Sequence, residues 1–237
     1  MAAPLRCRYT ARVKHFQVEI KDALPHGVLA GVSLPGTGGP VPVDILERLH
    51  PDERGTAAAL RAFRQESFVG GRLAAQAALR ALGLRPGSVG QGPRGEPVPP
   101  EGLTLSISHK RHLAVALVAR AEHGTIGVDL EDLRPAREGI AQRILTPVEQ
   151  ALVDALPAER QWTATVLRFA LKEAIYKALA PRLQRYIDFA EAELRLRTDG
   201  SALVSLNLRE GTPPAHIEAR YTWLDDAVIG TARARWP

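Results

Sequence analysis

The segment 127–131 (GVDLE) places two carboxylates at a spacing that suits metal binding. The segment is typical of a strand, and alternate residues of a strand face the same way, so Asp129 and Glu131 would share one face. Burying two carboxylates on an apolar strand is costly unless a cation accompanies them, and oxygen ligands of this kind suit Mg²⁺. The simpler interpretation is a strand end at which both acids meet water. The spacing alone leaves both interpretations open.

The segment 169–177 (FALKEAIYK) carries an acid and a base on one side of a predicted helix. Glu173 and Lys177 are four residues apart and therefore lie on the same helix face. Glu173 could complete the carboxylate set, and Lys177 could contact a phosphate, with Lys172 in reach of the same anion. An ordinary surface ion pair has the same spacing, so this pattern also has two interpretations.

Three further segments carry groups that could bind an anion. Ser108 and His109 close a strand-like run, and a histidine at a strand end is a potential phosphate donor. Arg64 and Arg72 are about two helical turns apart. Arg94 precedes a loop glycine, and such glycines let the backbone approach an anion closely. Each of these features is also common on solvated surfaces.

The elements that would position these groups follow an α+β pattern. Each half has a long alanine-rich helix and then strands with alternating apolar residues. The long helices are predicted at residues 52–82, with a break at Gly70-Gly71, and at residues 158–180, ending before Pro181. Short helices are predicted at residues 44–50, 137–145 and 147–156, and strands at residues 28–34, 103–107, 113–119, 125–131, 192–198, 202–208, 216–223 and 227–234.

This order predicts two similar α+β subdomains related by a pseudo-twofold axis. Each would be a long helix packed on a small, mainly antiparallel sheet. The expected division is residues 1–120 and residues 121–237. The two long helices align at an offset of 100 residues, which matches Arg72 to Lys172.

The composition of the 237-residue chain excludes several classes of protein. With 45% hydrophobic and 24% charged residues, the chain can bury a core and is not disordered as a whole. It shows no apolar run long enough to span a membrane and no secretory signal pattern, and its single cysteine favours the cytoplasm. Its 31 basic and 26 acidic residues leave a net charge of +5, which suits a polyanionic ligand, an acidic protein partner or nucleic acid.

Taken in order, these segments resemble the 4′-phosphopantetheinyl transferases of the surfactin type, closest to the branch that contains the enterobactin synthase component D proteins. That family carries a G-[IV]-D-[ILV]-E strand followed by an [FW]-x-x-K-E-[AS]-x-x-K helix, which residues 127–131 and 169–177 match. The branch adds an arginine pair, a G-E-P loop and an S-[IT]-[ST]-H strand end, which are matched by Arg64 and Arg72, residues 95–97 and residues 106–109.

The resemblance implies an enzyme that uses Mg²⁺, with Mn²⁺ as an alternative. It would transfer the 4′-phosphopantetheine group from coenzyme A to a serine of an apo acyl or peptidyl carrier protein and release 3′,5′-ADP. Coenzyme A would lie in a cleft between the two subdomains, and Glu173 or a metal-bound water would accept the serine proton. The implied metal ligands are Asp129, Glu131 and Glu173, the implied catalytic residues are Glu173, Asp129 and Lys177, and the implied coenzyme A ligands are Arg64, Arg72, Arg94, Ser108, His109, Lys172 and Lys177.

The expected partner is an acidic carrier protein of siderophore, antibiotic, polyketide or nonribosomal peptide synthesis, which fits the positive net charge. Neither nucleic acid nor a membrane is expected as a partner, and the chain is expected to act as a cytoplasmic monomer. Residues 134–162 are the candidate docking surface. Its steering residues would be Arg134, Arg137, Arg143 and Arg160, and its apolar anchors Ile144, Leu145 and Trp162. The alternative is that the apolar residues belong to the core and the arginines are merely solvated. Two rival functions remain, a non-catalytic relative that binds carrier proteins and a basic nucleic-acid-binding protein.

Overall fold

The computed structural model describes residues 15–237, which form two compact units. The N-terminal unit contains residues 15–123 and the C-terminal unit contains residues 124–237. The division therefore falls just after the position expected from the sequence, between residues 120 and 121. Each unit has its own sheet and its own buried hydrophobic core.

The N-terminal unit is a four-stranded antiparallel sheet with a long helix packed against it. Its elements are β1 (Val18–Leu24), β2 (Gly27–Ser33), α1 (Val43–Leu46), α2 (Pro51–Ala59), α3 (Ala62–Ala81), β3 (Gly90–Gln91), β4 (Pro97–Val98), β5 (Leu103–His109) and β6 (Leu113–Arg120). The strand order in the main sheet is β1-β2-β6-β5, and β3 pairs with β4 in a separate hairpin. Strand β1 was not predicted, because most of its residues are exposed and it lacks a strong apolar alternation.

The C-terminal unit is a five-stranded antiparallel sheet with the longest helix packed against it. Its elements are β7 (Thr125–Asp132), α4 (Ala141–Ile144), α5 (Pro147–Asp154), α6 (Ala158–Leu183), β8 (Ala192–Leu196), β9 (Ser201–Leu206), β10 (His216–Trp223) and β11 (Ala227–Arg235). The strand order is β7-β11-β10-β9-β8. The predicted α+β class, with antiparallel sheets and long helices, is confirmed. Within residues 15–237, no helix has the length and apolar character that crossing a membrane requires.

The predicted break in the long helix of the N-terminal unit, at its glycine pair, is wrong. Helix α3 runs continuously through Gly70 and Gly71, and the break lies earlier, between α2 and α3. A Cβ atom on Gly70 would lie 2.3 Å from the Leu34 side chain, and one on Gly71 would lie 2.8 Å from the Ile107 side chain. The two glycines therefore allow the helix to pack closely on the sheet.

The long helix of the C-terminal unit does not end before Pro181, which corrects a second prediction. Proline is costly in the middle of a helix, but Pro181 lies in the last turn of α6. The helix ends at Gln184, which has a left-handed φ of 52° and donates its backbone N–H to the carbonyl oxygen of Ala180. The helix predicted at residues 137–145 is also shorter than expected and is reduced to α4.

Helix α6 lies very close to the neighbouring strands β7 and β11, and glycine makes this approach possible. A Cβ atom on Gly127 of β7 would lie 1.9 Å from the carbonyl oxygen of Ala174, and one on Gly230 of β11 would lie 2.7 Å from another α6 carbonyl oxygen. Because side chains alternate along a strand, Asp129 and Glu131 share the face of β7 on which Gly127 meets α6. The two carboxylates are thereby placed on the helix side of the sheet.

Candidate active site

The two carboxylates of β7 are buried, and each has a cationic partner. Asp129 is 5% exposed and Glu131 is 3% exposed. The Nζ atom of Lys177 donates to Oδ1 of Asp129 at 2.7 Å and to the carbonyl oxygen of Val128 at 3.0 Å. A guanidinium N–H of Arg137 donates to Oε2 of Glu131 at 2.6 Å. The interpretation of this segment as a solvated strand end is therefore wrong.

Arg137 contacts two aromatic side chains in addition to its ion pair with Glu131. Its guanidinium carbon is 5.1 Å from the ring centre of Phe169 and 6.0 Å from that of Trp162. The Trp162 indole N–H in turn donates to the carbonyl oxygen of Leu133. Cation–π contacts of this kind add to the ion pair, so Arg137 is held within its unit by several contacts.

Glu173 is half-buried on α6 and lines a cavity of about 140 Å³ in the C-terminal unit. The opposite wall of this cavity comes from the chain that follows α6. Besides Glu173, the lining residues are Lys172, Ile175, Tyr176, Tyr186, Ile187, Asp188, Phe189 and Ala192. A carboxylate at such a cavity can act on a group that enters it.

The three-carboxylate metal site predicted from the sequence is not assembled in this structure. Across residues 15–237, no group of three or more His, Cys, Asp or Glu side chains is arranged to hold a metal ion. Glu173 is therefore not brought together with Asp129 and Glu131 as a ligand set. The two strand carboxylates alone still offer the hard oxygen donors that Mg²⁺ prefers, and Mg²⁺ commonly takes its other ligands from water and substrate phosphates.

Lys172 is buried and fully hydrogen-bonded within its own unit, which disagrees with the coenzyme A role expected from the sequence. Its side chain is 1% exposed, and its Nζ atom donates to Oε2 of Glu149 at 2.6 Å. It also donates to the carbonyl oxygens of Ile144 at 2.7 Å and Phe189 at 2.9 Å. Since an ammonium group has three N–H donors, these partners use all of them.

The Arg72 side chain is likewise buried within its own unit, which disagrees with the coenzyme A role expected from the sequence. It is 6% exposed, and one guanidinium N–H donates to the carbonyl oxygen of Gly90 at 3.1 Å. Its Nε atom lies 3.8 Å from Oε1 of Glu53, and its guanidinium carbon lies 4.5 Å from the ring centre of Phe68. Burial lowers the pKa of Arg72, and the charge of Glu53 opposes that effect.

A cavity of about 300 Å³ in the N-terminal unit is lined in part by His109. The two residues that follow it, Lys110 and Arg111, line the same cavity. The guanidinium carbon of Arg111 lies 5.0 Å from the ring centre of Phe63, and its Nε donates to the carbonyl oxygen of Gly36 at 2.8 Å. Neither Lys110 nor Arg111 was predicted to be a ligand, although their position directly after the histidine was a usable signal.

The remaining predicted anion-binding residues lie in different surroundings. Ser108 is 7% exposed and, by strand alternation, faces the opposite side of β5 from His109, so it does not share the His109 cavity. Arg64 is exposed in the first turn of α3. Arg94 is exposed in the loop between β3 and β4, where its backbone N–H donates to Oε2 of Glu96 at 2.9 Å. Arg64 and Arg94 are therefore accessible, whereas Ser108 is not.

The docking surface predicted at residues 134–162 is only partly a surface. Ile144, expected to be an apolar anchor, is 1% exposed and belongs to the interior. Trp162 is half-buried, and Arg137 is held by Glu131. Arg143 is exposed, as a steering residue would have to be.

Comparisons with known proteins identify the family. A family model described as the 4′-phosphopantetheinyl transferase superfamily matches residues 125–232, and one described as the 4′-phosphopantetheinyl transferase N-terminal domain matches residues 52–119. The chain is 33% identical over 174 residues to 4′-phosphopantetheinyl transferase Svp of Streptomyces mobaraensis, which covers 72% of this chain and 70% of that protein. It is 32% identical over 193 residues to 4′-phosphopantetheinyl transferase Npt of Nocardia iowensis, which covers 77% of this chain and 79% of that protein.

The chain therefore belongs to the 4′-phosphopantetheinyl transferases and is an enzyme of that family. The resemblance of the motifs to the 4′-phosphopantetheinyl transferases is confirmed, and the surfactin type stays a proposal. A match to enterobactin synthase component D of Salmonella typhimurium, 33% identical over 129 residues, covers 51% of this chain and 50% of that protein. Membership of the component D branch accordingly stays a proposal.

Proposed function

We propose that this enzyme transfers the 4′-phosphopantetheine group from coenzyme A to a serine of an apo acyl or peptidyl carrier protein and releases 3′,5′-ADP. The observation that carries the proposal is the contact between the two motifs, in which Lys177 of α6 donates to Asp129 of β7 at 2.7 Å. Glu173 lies one turn earlier on the same helix. A buried carboxylate, a lysine and a glutamate supply the groups that phosphoryl transfer requires, namely a metal ligand, a cation and a base.

In the proposed reaction, the serine hydroxyl oxygen attacks the β-phosphorus of coenzyme A. A new phosphorus–oxygen bond forms while the bond from that phosphorus to the bridging oxygen breaks, and 3′,5′-ADP leaves. The hydroxyl proton passes to the carboxylate of Glu173, which has access to the cavity that it lines. Lys177 directs two N–H groups at Asp129 and Val128, and its third donor would contact a phosphate oxygen.

We assign metal binding to Asp129 and Glu131, with Mg²⁺ as the expected ion and Mn²⁺ as the alternative. When bound by these two carboxylates, the ion would help to neutralise the charge of the diphosphate. Lys177 and Arg137 each contact one oxygen of these carboxylates. Because Glu173 does not form a ligand group with Asp129 and Glu131, we assign it the role of base instead of metal ligand.

Coenzyme A binding is assigned to His109, with Lys110 and Arg111 added to the residues chosen from the sequence. All three line the cavity in the N-terminal unit, which Glu66 also lines; Lys110 and Arg111 would present positive charge to the phosphates and His109 a ring N–H donor. Arg64 and Arg94 are exposed and stay in the proposed set. Lys172, Arg72 and Ser108 leave it because they are buried against their own unit.

The finer assignments rest on sequence features. The arginine pair, the G-E-P loop and the S-I-S-H strand end support the component D branch and, with it, a siderophore or antibiotic pathway. The single cysteine and the positive net charge support a cytoplasmic enzyme that acts on acidic carrier proteins, and two units in one chain support a monomer.

The test is to incubate the protein with coenzyme A, Mg²⁺ and a panel of apo-carrier proteins. Intact mass spectrometry would show the addition of one phosphopantetheine group, and addition of EDTA would show whether a divalent cation is needed. Carrier binding without mass change on any member of the panel would support the non-catalytic relative. Salt-sensitive binding to DNA or RNA in place of carrier binding would support the nucleic-acid-binding rival.

A further inference from the structure

A buried glutamate outside both motifs connects three parts of the C-terminal unit. Glu149 is fully buried at the third position of α5. Its Oε2 atom accepts the backbone N–H of Thr146 at 2.8 Å and the Nζ of Lys172 at 2.6 Å. Its Oε1 atom accepts the backbone N–H of Leu194 at 2.8 Å. Glu149 thus holds the start of α5, the middle of α6 and strand β8 together.

Lys172 extends the same network to the wall of the cavity beside Glu173. Besides Glu149, it bonds the carbonyl oxygen of Ile144 at the end of α4 and that of Phe189. Phe189 lines the Glu173 cavity opposite α6. The bond from Lys172 to Phe189 therefore connects one cavity wall to the helix that carries Glu173.

The N-terminal unit contains the same device at equivalent positions. Glu53 is the third residue of α2, is 3% exposed, and accepts the backbone N–H groups of His50 at 3.2 Å and Val89 at 2.8 Å. Its cationic partner is Arg72, which the 100-residue offset aligns with Lys172, and which bonds the carbonyl oxygen of Gly90. In both units a glutamate in the first turn of a proline-started helix meets a cation in the middle of the long helix. The repetition indicates that each cation is held inside its own unit by the glutamate, since an anion-binding role would leave the cation facing outward.

From this we infer that Lys172, held by Glu149, is a positioning residue for Glu173 and does not bind coenzyme A. Through Phe189 it sets the width of the cavity in which Glu173 receives the serine proton. The inference rests on the proposed function, because it assigns Lys172 a task in that reaction. Burial lowers the pKa of Lys172 and the Glu149 hydrogen bond opposes the effect, as expected for a cation retained inside the unit by its partner.

The test is a double-mutant cycle of Lys172→Met, Glu149→Gln and the two together. Asp154→Asn, an exposed change on the same helix α5, is the matched control. For each protein we would measure the carrier-modification kcat, the coenzyme A Kd by calorimetry and the Tm. Removing one member of a buried ion pair leaves the other charge uncompensated, so each single change should lower kcat at least tenfold and the Tm by roughly 10 °C. The double change should cost less than the sum of the two.

The decisive reading is the coenzyme A Kd, which should stay within twofold of the wild-type value in all variants. A tenfold rise in Kd for Lys172→Met, without such a rise for Glu149→Gln, would assign Lys172 to coenzyme A and overturn the inference. A loss of Tm with unchanged kcat would also overturn it, because it would leave only a structural brace. If Lys172→Met does not fold, the double variant, which buries no lone charge, gives the same Kd and kcat comparison. Absence of turnover in the wild-type protein is a separate result that rejects the proposed function and the assigned task with it.

Discussion

Substitution of Gly127 by alanine tests whether the close approach of β7 and α6 holds the site together. The added Cβ would lie 1.9 Å from the carbonyl oxygen of Ala174 and 2.8 Å from the backbone N of Ala178. Real Cβ atoms essentially never come within 3.0 Å of such atoms, so strand and helix must separate by about 1 Å. Both obstructing atoms belong to backbone, and no side-chain rotation can relieve the contact.

The separation should affect both stability and chemistry. Overpacking of this kind lowers the free energy of unfolding by about 1–3 kcal/mol. Because both obstructing atoms belong to the backbone of α6, we expect a value at the upper end. The Lys177–Asp129 contact of 2.7 Å would lengthen beyond hydrogen-bonding distance, and misplacement of catalytic groups by about 1 Å can cost roughly 10²-fold in rate. We therefore expect Gly127→Ala to lose about two orders of magnitude in kcat.

The assay is carrier modification followed by intact mass, with thermal unfolding on the same preparations. Gly55→Ala is the matched control, because Gly55 lies in helix α2 with no atom within 4 Å of an added Cβ. That control should gain about 0.5–1 kcal/mol of stability, as expected when alanine replaces a helical glycine, and should keep its turnover. Wild-type Tm and kcat in Gly127→Ala would refute the argument, since they would mean that the strand and helix are not in contact as described.

Three further predictions concern single side chains. Asp129→Asn and Glu173→Gln should each lower kcat by at least 10²-fold, because one loses the proposed metal ligand and the other the proposed proton acceptor. Glu173→Gln should change the Tm little, whereas Asp129→Asn should also lower it, because Lys177 loses its counter-charge. His109→Ala should raise the KM for coenzyme A several-fold with a smaller effect on kcat, because its contact is proposed to be with the substrate phosphates. Two hydrogen bonds from the Arg185 guanidinium are the main cause that lowers the pKa of Glu191 to about 2 from an ordinary value of 4.5, so this pair should stabilise the fold fully above pH 4.5 and lose its effect as the pH falls towards 2.

For each of these predictions, a different result would contradict the reasoning. Near-normal Mg²⁺-dependent turnover in both carboxylate variants would remove the proposed catalytic assignment. An unchanged KM for coenzyme A in His109→Ala would exclude the N-terminal cavity as a phosphate site. For Glu191, urea unfolding of wild type and Glu191→Gln should differ clearly at pH 7 and converge near pH 2. A difference between the two proteins that stays constant over that range would contradict the assigned pKa.

Local sequence patterns were enough to predict most of the fold. The strands around Asp129 and the helix around Glu173 have regular apolar spacing, and this spacing reflects the face that each element buries. The contact between Lys177 and Asp129 could not be predicted from local patterns, because it depends on the direction in which α6 crosses the sheet. That direction is set by the tight approach at Gly127, and a single sequence does not show which element will come to lie opposite a glycine.

The misassigned cations have a related cause. Lys172 and Lys177 are both lysines on one helix, and the residue type does not reveal which of them faces the interior. Only the fold brings Glu149 of α5 against Lys172. The buried position of Glu149 and its role as a counter-charge arise from tertiary packing. Arg72 was misassigned for the same reason, since its partner Glu53 lies in a different helix.

The pairing of each β7 carboxylate with a cation of its own unit also bears on the order of events when the enzyme is made. Asp129 has Lys177 and Glu131 has Arg137, so the strand can be buried without waiting for a divalent ion to balance its charge. Newly synthesised chains could thus complete folding in metal-poor conditions and take up the ion afterwards. On the proposed metal assignment, chelation would switch the enzyme off reversibly and leave its fold unchanged, in contrast to small zinc domains that unfold when their ion is removed.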